Sequence, residues 1–265
     1  MKIGVFDSGF GGLTVLRELL TAIPRADYLY LGDTARLPYG SKSAATVARY
    51  AVSSVEFLVQ HGAEYVVIAC NTASALAMDS IRAAVRTEVL GVIAPGARAA
   101  SAMSRNKNVY VIGTPATVSS HAYQRELQKL GISAIEKACP LFVPLVEEGW
   151  TDHPVTEQVA HIYLRELEEE QRGRNGSADV LVLGCTHYPL LKPLLHRILP
   201  EKLQLVDSAQ ATAHDAAAAL GLCGTSSRSP AVQFFATDSV DKFQTLGSRF
   251  LQREIDLVKL ITLPE

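Results

Sequence analysis

The sequence predicts an α/β protein built from two halves of similar plan, on three observations. Short apolar runs alternate with amphipathic helical patterns along most of the chain. The runs are apolar on both faces and rich in Val, Ile and Leu, as strands are when helices cover both sides of a parallel sheet. The third observation is an internal echo. Tyr65-Val-Val-Ile-Ala-Cys70-Asn71-Thr72 resembles Val180-Leu-Val-Leu-Gly-Cys185-Thr186-His187, each an apolar strand, a small residue, a cysteine and then polar residues.

The predicted strands are Ile3–Phe6, Tyr28–Leu31, Tyr65–Ala69, Val89–Ile93, Asn108–Ile112, Val180–Leu183, Leu203–Val206 and Val232–Phe235. Leu13, Leu16, Leu19, Leu20 and Ile23 recur at helical spacing, and Pro24 stops that helix. Val47, Tyr50, Ala51, Val55 and Leu58 mark a second. Right-handed crossovers between parallel strands put ligand-binding loops at the strands' carboxyl ends. Val5-Phe6-Asp7-Ser8 is echoed by Val111-Ile112-Gly113-Thr114, so each half offers two comparable strand ends. Glu166–Ala178 reads as a solvated helix end and loop, and Gly224–Pro230 as a loop.

A chain of 265 residues suits one large domain or two modest ones. With 48% hydrophobic and 20% charged residues the composition is globular. A formal net charge of −2 offers no basic footprint for nucleic acid or an anionic membrane. No apolar run approaches the roughly 18–20 residues that span a bilayer. Met1-Lys2 leads straight into the first strand without a secretory pattern, so a cytoplasmic protein is expected. The four cysteines form no C-x-x-C pair, which argues against a zinc knuckle or a thioredoxin motif. In a reducing cytosol they are either buried filler or chemistry.

Cys70 and Cys185 each follow an apolar strand where a helix is expected to begin. The positive end of a helix favours thiolate. A lone cysteine is more often a small buried hydrophobe, but two in matching contexts favour chemistry. Cys139, before Pro140, and Cys223, after an Ala-rich helix, lack that context. Asp7 and Ser8 precede Gly9-Phe10-Gly11-Gly12, which fits neither a dinucleotide fingerprint nor a P-loop. The segment reads equally as a capped turn or as a carboxylate and hydroxyl at a cleft, its glycines letting a ligand approach. His187, two residues after Cys185, is placed to hold or relay a proton; the other six histidines have no such neighbour. Glu147 and Glu148 follow a long apolar run, where a carboxylate is either partly buried or in a solvated turn. The Pro38-Tyr39-Gly40-Ser41-Lys42-Ser43 loop, with Asn71, Thr72, Thr114, Thr117 and Thr186, supplies amides and hydroxyls. Such donors and helix N-termini hold a dicarboxylate without an arginine clamp.

Seven segments in order resemble the glutamate racemase family of the aspartate/glutamate racemase superfamily. They are Val5–Leu16, Leu31–Ser43, Ala69–Ser74, Gly113–Ser120, Pro144–Gly149, Leu183–Leu191 and Asp207–Ala209. The resemblance implies two pseudo-symmetric, flavodoxin-like three-layer domains with mostly parallel sheets and the active site in the cleft between them. It implies a discontinuous first domain, 1–95 plus 209–265, and a second spanning 96–208. It further implies interconversion of L- and D-glutamate by two cysteines, without a cofactor or metal, supplying D-glutamate for peptidoglycan. By residue, Cys70 would act on the D-isomer assisted by Asp7, and Cys185 on the L-isomer assisted by His187, with Glu147 as further polar support. Asp7, Ser8, Pro38, Tyr39, Gly40, Asn71, Thr72, Thr114, Thr117, Thr186 and His187 would bind substrate. The expected partner is the small-molecule substrate, with no membrane and no direct nucleic acid. A homodimer stays open, as does a secondary role such as the gyrase inhibition ascribed to some family members.

Three other readings compete. One is racemisation of aspartate or a hydantoin by the same thiols. Another is a non-catalytic binding or regulatory role, against which the intact thiol pair argues. The last is a pyridoxal-phosphate racemase, which needs a Schiff-base lysine; Lys42, the only lysine in a motif loop, has no such setting.

Overall fold

The computed structural model describes residues 1–172, 176–222 and 229–264. The strands are β1 (Lys2–Asp7), β2 (Asp27–Gly32), β3 (Tyr65–Ile68), β4 (Glu88–Gly91), β5 (Asn108–Gly113), β6 (Ser133–Ala138), β7 (Val180–Gly184), β8 (Gln204–Asp207), β9 (Val232–Ala236) and β10 (Val258–Leu260). They form a six-stranded sheet, β10-β9-β2-β1-β3-β4, and a four-stranded sheet, β6-β5-β7-β8. Every pairing is parallel.

The segment β2-β1-β3-β4 has the same order as β6-β5-β7-β8, so the internal echo reflects one plan used twice. In each, the chain leaves a central strand to one side and later returns on the other. That reversal opens a crevice at the carboxyl ends of the two inner strands. Asp7 and Cys70 stand at the crevice of the first sheet, Thr114 and Cys185 at that of the second. The chain then re-enters the first sheet through β9 and β10.

Local chemistry accounts for the elements. The inner strands β3 and β7 are buried at every position, which explains their unbroken apolar runs. Helix Leu13–Ala22 buries Leu13, Leu16 and Leu19 and ends before Pro24, which has no N–H to continue it. Helix Ala44–Gln60 starts at Ser43, whose Oγ accepts the Thr46 N–H at 3.4 Å, and buries Val47, Ala51, Val55 and Leu58.

The predicted strand Val89–Ile93 is corrected. Extended backbone stops at Gly91, and Ile93 opens helix Ile93–Met103, with Pro95 in its first turn. The apolar run simply continues from strand to helix, so hydrophobicity alone does not mark the boundary. Two strands were not foreseen. In β6 the sequence carries Glu136 and Lys137, the latter paired with Glu166 at 2.6 Å, as suits a sheet edge. The other, β10, has only three residues. Cys223 and Gly224–Arg228 lie outside the described residues. Among those described, no helix is long and apolar enough to cross a membrane.

Gly32 closes β2 against the turn that carries the first crevice. A Cβ there would sit 2.4 Å from the Gly9 carbonyl oxygen, which also accepts the Tyr30 hydroxyl at 3.1 Å. Backbone cannot yield as a side chain does. Gly32→Ala is expected to destabilise the protein by about 1–3 kcal/mol, read as a lower urea midpoint at unchanged slope.

Candidate active site

The two crevices face each other across a cavity of about 430 Å³. Cys70 and Cys185 both lie on its wall, with Ser8, Asn71, Thr72, Thr114, Thr186, His187 and Glu147. The Pro38–Ser41 loop forms another side.

On the first half, Cys70 caps helix Asn71–Leu76. Its sulfur accepts the Ala73 N–H at 3.4 Å and donates to Ser8 Oγ at 3.5 Å. The helix start nevertheless does not make it a ready thiolate, which corrects the expectation. Burial and then the Asp7 carboxylate push the Cys70 thiol up to about 12, against the weaker help of Ser8 and the Ala73 amide. One amide bond from a six-residue helix does not offset full desolvation. Asp7 ends β1, buried; Oδ2 accepts the Gly9 N–H at 2.9 Å, and Oδ1 has no partner among the described residues. Burial raises its pKa, with His187 and three turn amides pulling the other way. Asp7 does not itself line the cavity; it stands behind the wall.

On the second half, Cys185 follows β7 but leads into a turn and the short 3-10 segment Tyr188–Leu191 rather than an α-helix. Its polar neighbour is His187, with Sγ 4.0 Å from Nδ1. His187 Nε2 faces Glu147 Oε1 at 3.2 Å, and Lys242 Nζ donates to Glu147 Oε2 at 3.1 Å. The ring is buried edge-on against Phe250, with centroids 5.1 Å apart. Burial alone would discharge His187. Its hydrogen bonds and charge contacts with Cys185 and Glu147 outweigh that and raise it to about 10. Burial likewise pushes Glu147 up, but His187 and Lys242 overcome it and leave the carboxyl below its ordinary range. The ring thus keeps its proton through neutrality beside the Cys185 sulfur.

The glycines have a different task from the one anticipated. A Cβ on Gly11 would lie 2.2 Å from Thr186 Oγ1 and 2.6 Å from His187 Nδ1; one on Gly12 would meet Asp7 Cβ at 2.5 Å. Gly11 lets the two halves approach each other, Gly12 lets its own half pack around Asp7 and Ala69, and neither glycine lines the cavity. Gly40 repeats the device, its missing Cβ 2.8 Å from Thr114 Cβ. Thr117 is also behind the wall. It is fully buried and joins Thr72 and Thr114 in a triangle of hydroxyls at 2.9, 3.0 and 3.2 Å. Tyr39 lines the cavity, but its hydroxyl donates to Asp33, which also accepts from Arg36 Nε at 2.8 Å and Thr237 Oγ1 at 2.9 Å. Asn71 Oδ1 accepts the Tyr123 hydroxyl at 2.8 Å; its buried Nδ2 has no partner among the described residues.

Sequence reasoning missed Lys242 and the apolar wall of Leu37, Val143 and Pro144. Lys242 sits in an ordinary amphipathic helix, Val240–Leu251, and no local pattern distinguishes it. Among the described residues no group of three His, Cys, Asp or Glu side chains is placed to hold a metal ion.

A raised histidine pKa has a definite sign. From an ordinary 6.5 to about 10 in the fold, His187 contributes stability that is complete below pH 6.5 and is lost as pH rises through about 10. His187→Asn should flatten that part of the stability profile. Ring ¹⁵N shifts should report a protonated imidazole at pH 8, and Glu147→Gln should bring its titration down; a neutral ring at pH 8 would contradict the assignment.

Residues 3–216 match the family model described as Asp/Glu/Hydantoin racemase. A glutamate racemase of Koribacter versatilis (strain Ellin345) is 54% identical, covering 98% of this chain and 97% of its own. The crystal structure of a glutamate racemase isoform from Bacillus anthracis superposes with a TM-score of 0.91 at 35% identity, covering 99% and 97% of the two chains. That of the Francisella tularensis enzyme in complex with D-glutamate gives 0.86 at 35% identity, covering 98% and 97%. Two thiols on one cavity wall, the doubled sheet order and a match over most of the chain agree: this protein belongs to the Asp/Glu/hydantoin racemase family.

Proposed function

We propose that the protein is a glutamate racemase that inverts Cα with two cysteines and needs no cofactor, in the cytoplasm, supplying D-glutamate for peptidoglycan. The observation that carries this reading is that Cys70 and Cys185 line the same cavity from opposite sheets, each with its own polar partner. Inversion needs a base on one face of Cα and an acid on the other. Cys185 takes the proton from L-glutamate while the Cys70 thiol delivers its own to the opposite face; from D-glutamate the roles reverse. The pair therefore titrates as a unit.

The protonation pattern supports the L-to-D start. Cys70 holds its proton, ready to give it, and Cys185 faces a charged His187. His187 and Glu147 stabilise charge at Cys185, while Asp7 and Ser8 serve Cys70. Acid–base help of this kind gives about 10²–10⁴-fold. The remainder comes from orientation and from fixed dipoles around the carbanion-like centre, among them Asn71 Nδ2, without a partner among the described residues, and the Thr72, Thr114 and Thr186 hydroxyls. The domain division that goes with this reading is 1–95 plus 209–265 against 96–208, which keeps each sheet within one unit.

Aspartate or hydantoin racemisation is the nearest alternative. Glutamate is favoured by the relatives at 54% and 35% identity, one of them bound to D-glutamate. An aspartate racemase of Picrophilus torridus, at 19% identity and a TM-score of 0.57, shares the fold alone.

Cys70→Ser and Cys185→Ser are each expected to lower glutamate racemisation by about 100-fold or more without unfolding the protein. Each variant should still eliminate a leaving group from one enantiomer of a glutamate analogue, the one its remaining thiol deprotonates. Full racemisation by either variant would refute the two-thiol scheme, and faster turnover of aspartate than glutamate would refute the substrate.

A further inference from the structure

Lys242 lies in the first turn of helix Val240–Leu251, between β9 and β10 of the first sheet. Glu147 ends helix Phe142–Glu147, between β6 and β7 of the second. Their ion pair therefore joins the two halves. Glu147 uses both oxygens, Oε1 toward His187 Nε2 at 3.2 Å and Oε2 toward Lys242 Nζ at 3.1 Å. The ammonium also stands 5.5 Å from the centre of the Phe10 ring, in the same turn as Gly11. A line of contacts runs from Lys242 through Glu147 and His187 to Cys185. Its outer end is in water, Lys242 being 53% exposed, and its inner end is buried. Among the described residues Lys242 is also the one lysine or arginine on the cavity wall.

Fixing one carboxylate oxygen removes the freedom of the last side-chain torsion and aims the other oxygen. Glu147 comes from one half and its anchor from the other, so separation of the halves pulls the anchor away from the carboxylate. Taking the cavity as a racemase site, we propose that Lys242 is a positioning residue for the Cys185 half-reaction, holding Glu147 from across the cleft so that the Glu147–His187–Cys185 relay is complete only while the halves are closed on each other. The Cys70 half, served by Asp7 and Ser8, does not depend on it.

Overall racemisation does not test this. The two enantiomers are equal in free energy, so kcat/KM must fall equally in both directions. Cα deprotonation is instead read separately by chloride release from L- and D-3-chloroglutamate: a thiolate takes the Cα proton, the Cα–Cβ double bond forms, and chloride leaves with the C–Cl electron pair. Lys242→Met keeps the aliphatic stem and removes the charge. It should slow release from the L-analogue by about tenfold and from the D-analogue by less than about twofold, and Lys242→Arg should restore the L-rate to within about threefold. An equal loss on both analogues, an unchanged L-rate or no recovery with arginine would overturn the role. Wild-type racemisation of glutamate is measured first. Its absence would remove the racemase reading and this role with it, whereas an active wild type with a symmetric variant removes only the role of Lys242.

Discussion

Charge taken out of water governs this molecule. Asp7, Cys70, Cys185 and His187 are all buried where the two sheets end against each other. An isolated ionised group in such a place costs several kcal/mol, so each either finds a partner or holds its neutral form. Cys70 keeps its proton because burial and, after it, Asp7 oppose the thiolate. His187 keeps its proton because Glu147 and Cys185 repay the desolvation. A protonated Cys70 thiol thus stands on one side of the cavity and a protonated His187 on the other.

The fold supplies the geometry that makes the burial possible. Two parallel sheets of the same inner order present their crevices to each other, so residues far apart in the chain meet at strand ends. The contact is close because Gly11 and Gly40 leave out side-chain atoms where Thr186, His187 and Thr114 press in. The Thr72–Thr114–Thr117 triangle and the Tyr123–Asn71 bond tie first-half residues to second-half ones. The site is thus part of the interface between the halves, and its electrostatics depend on how tightly they close.

Much of this was legible in the sequence. The inner strands were, because burial on both faces leaves unbroken Val, Ile and Leu runs, and Cys70 and Cys185 stood out because similar contexts recurred. The edge strands β6 and β10 were not, since one carries charges and the other is three residues long. The boundary at Gly91 was invisible because strand and helix share one apolar run. The state of Cys70 was misjudged because helix position is a local property, while desolvation depends on everything packed around the sulfur. Asp7 and Thr117 are buried beside groups that line the cavity, a placement that depends on packing around them and not on local pattern. Lys242 left no trace, because its partner Glu147 lies in another element and the pairing exists only in three dimensions.

The central claim is that separate thiols serve the two faces of Cα. Turnover of protiated L-glutamate in D₂O, stopped early, addresses it directly through mass analysis of both enantiomers. The account predicts deuterium at Cα of the D-glutamate formed, delivered by the exchanged Cys70 thiol, and protium in the L-glutamate recovered. D-glutamate retaining the original proton, or L-glutamate deuterated as fast as D-glutamate forms, would contradict it.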